Sequence, residues 1–330
     1  MPTILVTGGA GYIGSICVKN LIDQGNEVVV YDSLERGHRS AIDERATFVR
    51  GDLGDRTRLD RAFAERSIAA VMHFAAYALV GESVEQPELY MRNNVEKGKI
   101  LLDACRDHGV RAFLFSSTCA TYGEPKEMPI HERLPQLPTN PYGESKLLFE
   151  KELWKAEEAW GLRAVALRYF NACGADGDLG EDHEAETHLI PIVFEAALGT
   201  RPKLFIHGDD YPTPDGTCIR DYIHILDLAS AHRLAMESLL SDRGARSRAY
   251  NLGVGRGYSV REVIEAAREI TGREIPVEVG PRRPGDPPEL VAASDLARTE
   301  LGWTPEHSDL DTVLRTAWSW HQRHPHGYGD

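Results

Sequence analysis

Tyr142 and Lys146 stand four residues apart in the stretch Asn140-Pro141-Tyr142-Gly143-Glu144-Ser145-Lys146. Pro141 suits the first turn of a helix, where its missing N–H costs nothing. Four residues are about one helical turn, so the phenol and the ammonium share a face. A free tyrosine, with a pKa near ~10, is a poor base at neutral pH. A neighbouring ammonium favours the phenolate and lowers that pKa. The spacing therefore turns an ordinary phenol into a candidate proton-transfer group. A Tyr-x-x-x-Lys pair also occurs by chance, as a helix start carrying a solvated lysine, so its meaning depends on the elements around it.

Those elements alternate. Thr3–Thr7 reads as a buried strand and runs into Gly8-Gly9-Ala10-Gly11-Tyr12-Ile13-Gly14. A helix follows to about Gly25, then the strand Glu27–Tyr31, ending in Asp32. Strand, glycine turn, helix, strand and acid at this spacing make a dinucleotide-binding half-fold. Glycines let backbone approach a pyrophosphate, which the free N–H groups of the helix start hold. Asp32 accepts ribose hydroxyls and repels a 2′-phosphate, which favours NAD over NADP; Arg36 and Arg39 nearby pull the other way. Further strands are expected at Ala46–Arg50, Ala70–Phe74, Arg111–Phe115 and Arg163–Arg168, with helices at Pro87–His108 and Tyr142–Trp160. Asp52, just beyond the third strand, either caps the next helix or meets adenine. The rhythm predicts an α/β fold, a Rossmann-type doubly wound parallel sheet. Ligands bind beyond the carboxyl ends of such strands, where Gly8–Gly14, Asp32, Ala75, Ser116–Thr118 and Asn171 fall.

After Asn171 the texture changes. Gly174–Glu186 is glycine-rich and acidic, a loop or lid. Thr187–Gly199 reads as a helix, Phe205–Arg220 as a long loop and Asp221–Leu240 as a helix. Ala249–Leu252 reads as a strand, Ser259–Gly272 as a helix capped by Ser259, and Pro281–Pro288 as a basic, proline-stiffened loop. We expect two discontinuous domains: 1–172 plus 221–254 for the dinucleotide, and 173–220 plus 255–330 as a smaller mixed α/β substrate-binding domain.

The 330 residues suffice for a proper core, and their balance is that of a globular protein. A formal charge of −14 argues against nucleic acid or an anionic membrane as partner. No apolar run reaches membrane-spanning length, and Met1–Thr7 shows no signal-peptide pattern. Five scattered cysteines, never spaced C-x-x-C, argue for a reducing cytoplasm and against a disulfide framework or a zinc site, so no metal is expected.

Taken in order, the glycine turn, Asp32-Ser33-Leu34, His73-Phe74-Ala75-Ala76, Val80-Gly81-Glu82-Ser83, Asn93-Asn94 and Phe115-Ser116-Ser117-Thr118 are joined by Tyr122-Gly123 and Asn140–Lys146. Leu167–Asn171, Gly208–Tyr211, Asp215–His224, Tyr250–Gly253 and Arg282–Asp286 complete the series. The chain resembles, over nearly its whole length, the UDP-glucose 4-epimerases of the extended short-chain dehydrogenase/reductase superfamily. The resemblance implies NAD, tightly bound, and interconversion of UDP-glucose and UDP-galactose through a transient 4-keto sugar. It makes Tyr142 the acid–base, Lys146 its partner, and Thr118 the hydroxyl that bonds the sugar 4-oxygen. It assigns cofactor contacts to Gly8, Gly11, Tyr12, Ile13, Gly14, Asp32, Asp52, Leu53, Phe74, Ala75, Asn93, Ser116, Tyr142, Lys146 and Tyr169. It assigns substrate contacts to Thr118, Tyr142, Asn171, His188, Leu189, Arg220, Arg283, Asp286 and Leu290. It also implies a homodimer paired through the helices at Pro87–His108 and Glu144–Trp160.

The sequence departs from the family's pattern in places. Ala78 stands where many members carry a cofactor-touching lysine, and His188 where many have asparagine. Leu290 sits where a large residue goes with exclusion of N-acetylated sugars. His73 reads as a strand histidine satisfied by neighbours. Sugar-nucleotide dehydratases carry Asp-Glu after the strand-end threonine, but here Cys119-Ala120 follow Thr118. A UDP-pentose or UDP-N-acetylhexosamine 4-epimerase, a plain NAD reductase, and a non-catalytic NAD-sensing module remain as alternatives. The last has no need of Tyr142 and Lys146.

Overall fold

The structure is a computed structural model that describes residues 2–241, 247–283 and 285–329. Pro284, inside the basic proline-stiffened loop, lies outside the described residues. The chain runs β1 (Thr3–Thr7), α1 (Tyr12–Asp23), β2 (Glu27–Asp32), β3 (Thr47–Arg50), α2 (Arg56–Ala64), β4 (Ile68–His73), α3 (Val80–Glu85) and α4 (Pro87–Tyr90). It continues through α5 (Lys97–Asp107), β5 (Ala112–Thr118), α6 (Pro141–Trp160), β6 (Arg163–Tyr169), β7 (Asn171–Cys173), α7 (Leu189–Leu198), β8 (Leu204–His207), β9 (Ile219–His224) and α8 (Ile225–Leu240). It closes with β10 (Arg248–Leu252), β11 (Gly257–Ser259), α9 (Val260–Thr271), β12 (Val277–Gly280), β13 (Glu289–Leu290), α10 (Asp295–Leu301), α11 (Leu310–Arg323) and β14 (Pro325–Tyr328).

Seven strands form one parallel sheet in the order β10-β6-β5-β4-β1-β2-β3. The order reverses between β1 and β4, which is where doubly wound sheets open a ligand crevice. Strands such as Ile4–Val6 and Ala112–Phe115 are buried on both faces, as a parallel sheet covered by helices requires. One apolar cluster packs α1 and α8 on one face; a second packs α2, α5 and α6 on the other. A third core, built from α7, α9 and α11 with β8, belongs to the smaller unit. Its strands β11, β9 and β13 form a sheet on which β7 also pairs with β9. Ala297 and Trp303, late in the chain, pack into the first cluster. No helix among the described residues is long and apolar enough to cross a membrane.

The structure corrects several local readings. Residues 219–224 are strand, and the helix expected from Asp221 starts only at Ile225. The Asp221 carboxylate explains why: it accepts the backbone N–H groups of Val254, Gly255 and Ala292 at 2.8, 3.0 and 3.1 Å. It thereby staples β9 to two distant segments that no local pattern announces. The loop expected over Phe205–Arg220 also contains the end of β8, paired with β12. The helix expected at Pro87–His108 is interrupted by a π-helical turn at Met91–Glu96. Asp52 does not cap α2; Asp55 does, accepting Arg58 N at 3.0 Å. Ser259 caps α9, and Glu262 returns the bond in a capping box.

Helix α6 is seated by a buried ion pair. Glu150 is bridged by Arg168 at 2.9 and 2.6 Å and by Ser117 Oγ at 2.5 Å. Both side chains are almost fully buried, at 0% and 5% exposure. Removing one partner from such a pair strands the other charge, at a cost of about 3–5 kcal/mol. Glu150→Ala is expected to lose stability of that order, read as a lower urea midpoint with an unchanged slope.

Candidate active site

The turn after β1 is shaped by contacts that only glycine permits. Gly8 has φ +74°, and a Cβ there would lie 2.4 Å from Ala75 N, because the chain leaving β4 crosses directly over it. A Cβ on Gly14 would meet Gly8 O at 2.2 Å. Gly11 differs: a Cβ there would meet no protein atom nearer than Gly8 O at 3.5 Å, so its face is open. Gly11 is also the N-cap of α1, and no side chain caps the helix amides there. An open face above uncapped amides is a cradle for an anion such as a pyrophosphate. Tyr12 and Ile13 contribute the first amides of that helix.

Asp32, buried at the end of β2, receives Ala10 N at 3.0 Å and Leu34 N at 2.9 Å, one on each oxygen. Burial raises its pKa, and the two amides pull it back. Each oxygen keeps a second lone pair for a hydroxyl. The nearby Arg36 is not available to a 2′-phosphate, because its fork closes on Glu82 at 2.9 and 2.6 Å. Arg39 stacks over Phe48. The residues thus fit an NAD-type dinucleotide. Asp52 is held by Gly54 N at 2.7 Å and Lys97 Nζ at 2.6 Å, with Leu53 buried behind it. Phe74 and Ala75 both donate their N–H groups to Thr7 O. Ala78 is exposed.

Tyr142 and Lys146 come off the first two turns of α6, whose cap is Asn140 accepting Gly143 N at 2.9 Å. Lys146 Nζ donates to Ser116 O at 2.8 Å and lies 5.0 Å over the Phe115 ring and 5.9 Å over the Tyr142 ring. Ser116 Oγ in turn bonds the Tyr169 hydroxyl. Burial pushes the Lys146 pKa down to about 7, while Glu150 pulls it upward. Burial pushes the Tyr142 phenol up to about 12, and a hydrogen bond from Thr118 counters it. In the protein alone, burial disfavours the phenolate and the hydrogen bond from Thr118 favours it.

Two positioning residues, Asn94 and Ser145, had no role in the sequence reading. The π-helical turn directs Asn94 inward, where it receives Tyr77 N and donates to Tyr77 O and Ser145 Oγ at 2.9, 3.0 and 3.0 Å. Ser145 then donates to Tyr142 O at 2.8 Å. Asn93, the neighbour expected at the cofactor, donates to Asn94 at 3.2 Å. A pair of asparagines in a helix was the available signal, since asparagine disfavours helix interiors. His73 shares a hydrogen bond with Thr7 Oγ1 at 2.7 Å and burial lowers its pKa to about 3, but its buried Nε2 has no partner among the described residues, so its neighbours satisfy only one ring nitrogen.

On the substrate side, one small sheet collects residues distant in sequence. Asn171 on β7 donates to Asp221 O on β9 at 3.2 Å. Leu290 on β13 lies opposite Arg220 on β9 and packs with Cys119, Tyr122 and Phe170 beside Thr118. Arg220 pairs with Asp286 and also donates to Ile219 O at 2.8 Å. The two residues expected at diphosphate and ribose therefore stand side by side. Arg283 is exposed; burial lowers the His207 pKa, and the nearby Arg283 charge adds to that. His188 stands at the N-cap position of α7, ahead of Leu189, but its side chain makes no cap bond and turns Nδ1 to Glu181 and Glu186.

A glycine-cradled dinucleotide site at the switch point of a parallel sheet, facing a Tyr-x-x-x-Lys helix, defines an extended short-chain dehydrogenase/reductase. Residues 4–253 match the model of the NAD dependent epimerase/dehydratase family. A UDP-glucose 4-epimerase of Lacticaseibacillus casei is 52% identical over 99% of this chain and 99% of its own. That of Halalkalibacterium halodurans is 54% identical over 98% and 97%. The crystal structure of the Brucella ovis UDP-glucose 4-epimerase with NAD superposes with a TM-score of 0.93 at 52% identity, covering 97% of this chain and 98% of that one. This chain belongs to the NAD dependent epimerase/dehydratase family, among its UDP-glucose 4-epimerases.

The depressed Lys146 pKa has a measurable consequence. The unfolded chain keeps this proton to about 10.5, the folded one only to about 7. Between those values unfolding takes up a proton, so the penalty for burying Lys146 is full below pH 7 and fades as pH rises. In nucleotide-free protein, Lys146→Met is expected to be more stable than the parent at pH 7. Its advantage should shrink by at most about 1.4 kcal/mol per pH unit toward pH 9, measured by urea unfolding.

Proposed function

We propose that this protein interconverts UDP-glucose and UDP-galactose by inverting C4 through a 4-keto sugar, with NAD as a resident cofactor. The observation that carries the reading is the convergence of Thr118, Tyr142 and Lys146 at the strand edge that also carries the glycine cradle. NAD, when bound, supplies a hydride acceptor and donor for C4 and a positive ring charge beside the phenol. Thr118 bonds the sugar 4-oxygen and relays its proton. Tyr142 takes that proton as base in one half-reaction and returns it as acid in the other. Lys146, fixed on Ser116 O, holds positive charge behind the phenol. Its pKa near 7 keeps it responsive to charge changes in the site. Arg220, Arg283 and Asn171 hold the diphosphate end, where a guanidinium fork suits phosphate oxygens. Asp286 and the His188-Leu189 pair serve the nucleoside. With the hydride returned to the opposite sugar face, the net reaction is isomerisation without a free redox partner.

Pairing of two copies through α4–α5 and α6 is part of the proposal, supported by the way those helices lie against one another; gel filtration with light scattering checks it. A cytoplasmic setting is supported by the five cysteines, all free and buried.

Tyr142→Phe is expected to keep the unfolding midpoint and the affinity for UDP while losing about 10²–10⁴ in turnover. Product separation after incubation with UDP-galactose reads the first effect and calorimetry with UDP the second; a fully active variant sinks the assignment. The bulk of Leu290, packed against the apolar cluster that follows Thr118, predicts poor turnover of UDP-N-acetylglucosamine beside UDP-glucose. Leu290→Ser is expected to narrow that gap. Parallel assays with UDP-N-acetylgalactosamine and UDP-xylose map the range, and equal rates on both hexose types in the parent would remove Leu290 as the gate.

A further inference from the structure

Away from Tyr142, the segment leading into α7 brings four potential metal ligands together. Glu181, His183, Glu186 and His188 each offer one donor atom, and all four donors lie within 4.8 Å of one another. His188 Nδ1 is 2.9 Å from Glu181 Oε1 and 3.0 Å from Glu186 Oε1. His183 Nδ1 is 3.0 Å from Glu186 Oε2 and 3.6 Å from Glu181 Oε1. Four ligands at about 2.0–2.1 Å around one ion, the bond lengths zinc takes with these donors, would lie about 3.3 Å apart. The four recorded N–O separations, which use both Glu186 oxygens, run from 2.9 to 3.6 Å around that spacing.

The two carboxylates are 7% and 5% exposed, and each faces both imidazoles. A single N–H on His188 also cannot point well at two carboxylates from different residues, whereas one central cation meets every donor. Glu186 Oε1 is oriented by the N–H groups of Thr187 and His188, both at 2.7 Å, an outer-shell support of the kind metal ligands use. A groove of about 420 Å³ lined by Glu181, His183, Glu195, His321 and His324 gives the cluster an opening to solvent.

We propose that Glu181, His183, Glu186 and His188 form a divalent-metal site whose preferred ion is zinc. Two imidazole nitrogens and two carboxylate oxygens suit zinc, and magnesium prefers octahedral oxygen shells. Four protein donors close the coordination sphere, so the site is structural. Its effect is to pin residues 181–188 into a fixed turn in front of α7. The segment before it already rests on the dinucleotide unit through Tyr12 on Gly174 O and Lys19 on Asp176. His188 is shared with the pair assigned to the nucleoside, so the metal test is read on His183 and Glu181, which the epimerase reading on Tyr142 does not use.

The test uses the full chain without a polyhistidine tag, stripped with a chelator and dialysed. Zinc is titrated against a chromogenic chelator, and cobalt is added separately to read its ligand-field spectrum. The expected result is one zinc per chain, a tetrahedral cobalt spectrum, and an unfolding midpoint raised by several degrees with zinc but not with magnesium. His183→Ala and Glu181→Gln should each lower zinc affinity by at least about 100-fold, more than loss of an outer-shell group does. Glu181→Gln preserves volume and hydrogen bonding, so its zinc loss at an unchanged metal-free midpoint separates ligation from misfolding. Absence of saturable zinc binding, or binding that both variants retain, overturns the site and leaves the four residues as an ion-pair cluster.

Discussion

The active-site helix depends on one buried ion pair. Glu150 lies two turns beyond Tyr142 and one beyond Lys146 on α6, and its carboxylate is gripped by Arg168 of β6 and Ser117 of β5. Arg168 extends the network to Tyr122 at 2.8 Å, and Tyr122 reaches Asn251 of β10 at 2.8 Å. Three strands and one helix are thereby locked in a single register beneath the site. A buried pair is weak as a source of stability, since desolvation offsets much of its attraction. What it supplies here is geometry: α6 cannot slide or rotate on the sheet without stranding a charge. The same carboxylate acts on Lys146, drawing its pKa upward against burial.

The electrostatics of the site follow from that seating. A helix pressed onto a parallel sheet desolvates whatever it carries on its inner face. Lys146 loses charge stability and Tyr142 becomes a weaker acid, so neither group is set for proton transfer by its partner alone. Thr118, at the end of β5, supplies the hydrogen bond that favours the phenolate. The arrangement leaves the phenol's acidity open to charge brought into the site.

The smaller unit meets the larger through pairing of a different kind. Strand β9 carries Arg220 on the substrate side and Asp221 on the other, and Asp221 fastens it to the chain at Val254, Gly255 and Ala292. Strands β7 and β13 add Asn171 and Leu290 to the same sheet. Three residues expected at the substrate, from three regions of sequence, are thus held by strand register. The acidic segment after Gly174 is tied to α1 by Tyr12 and Lys19.

Much of the dinucleotide half was legible from residues alone. The glycine turn, the acid at Asp32 and the Tyr142–Lys146 face obey local rules: glycine where backbone crowds backbone, a carboxylate after a strand, a phenol and an ammonium one turn apart. Those features survive without knowledge of the rest of the chain. Tertiary structure decided where long-range partners compete with local pattern. Residues 221–224 look helical beside α8, yet become strand because Asp221 finds three distant amides. The helix through Asn93-Asn94 opens into a π turn because Asn94 is claimed by Tyr77 and Ser145. The ionisation of Tyr142 and Lys146 was beyond the reach of spacing, since a pKa is set by what is packed over the group. The convergence of Glu181, His183, Glu186 and His188 likewise needed the fold, because their spacing shows four potential ligands but not the turn that brings their donor atoms together.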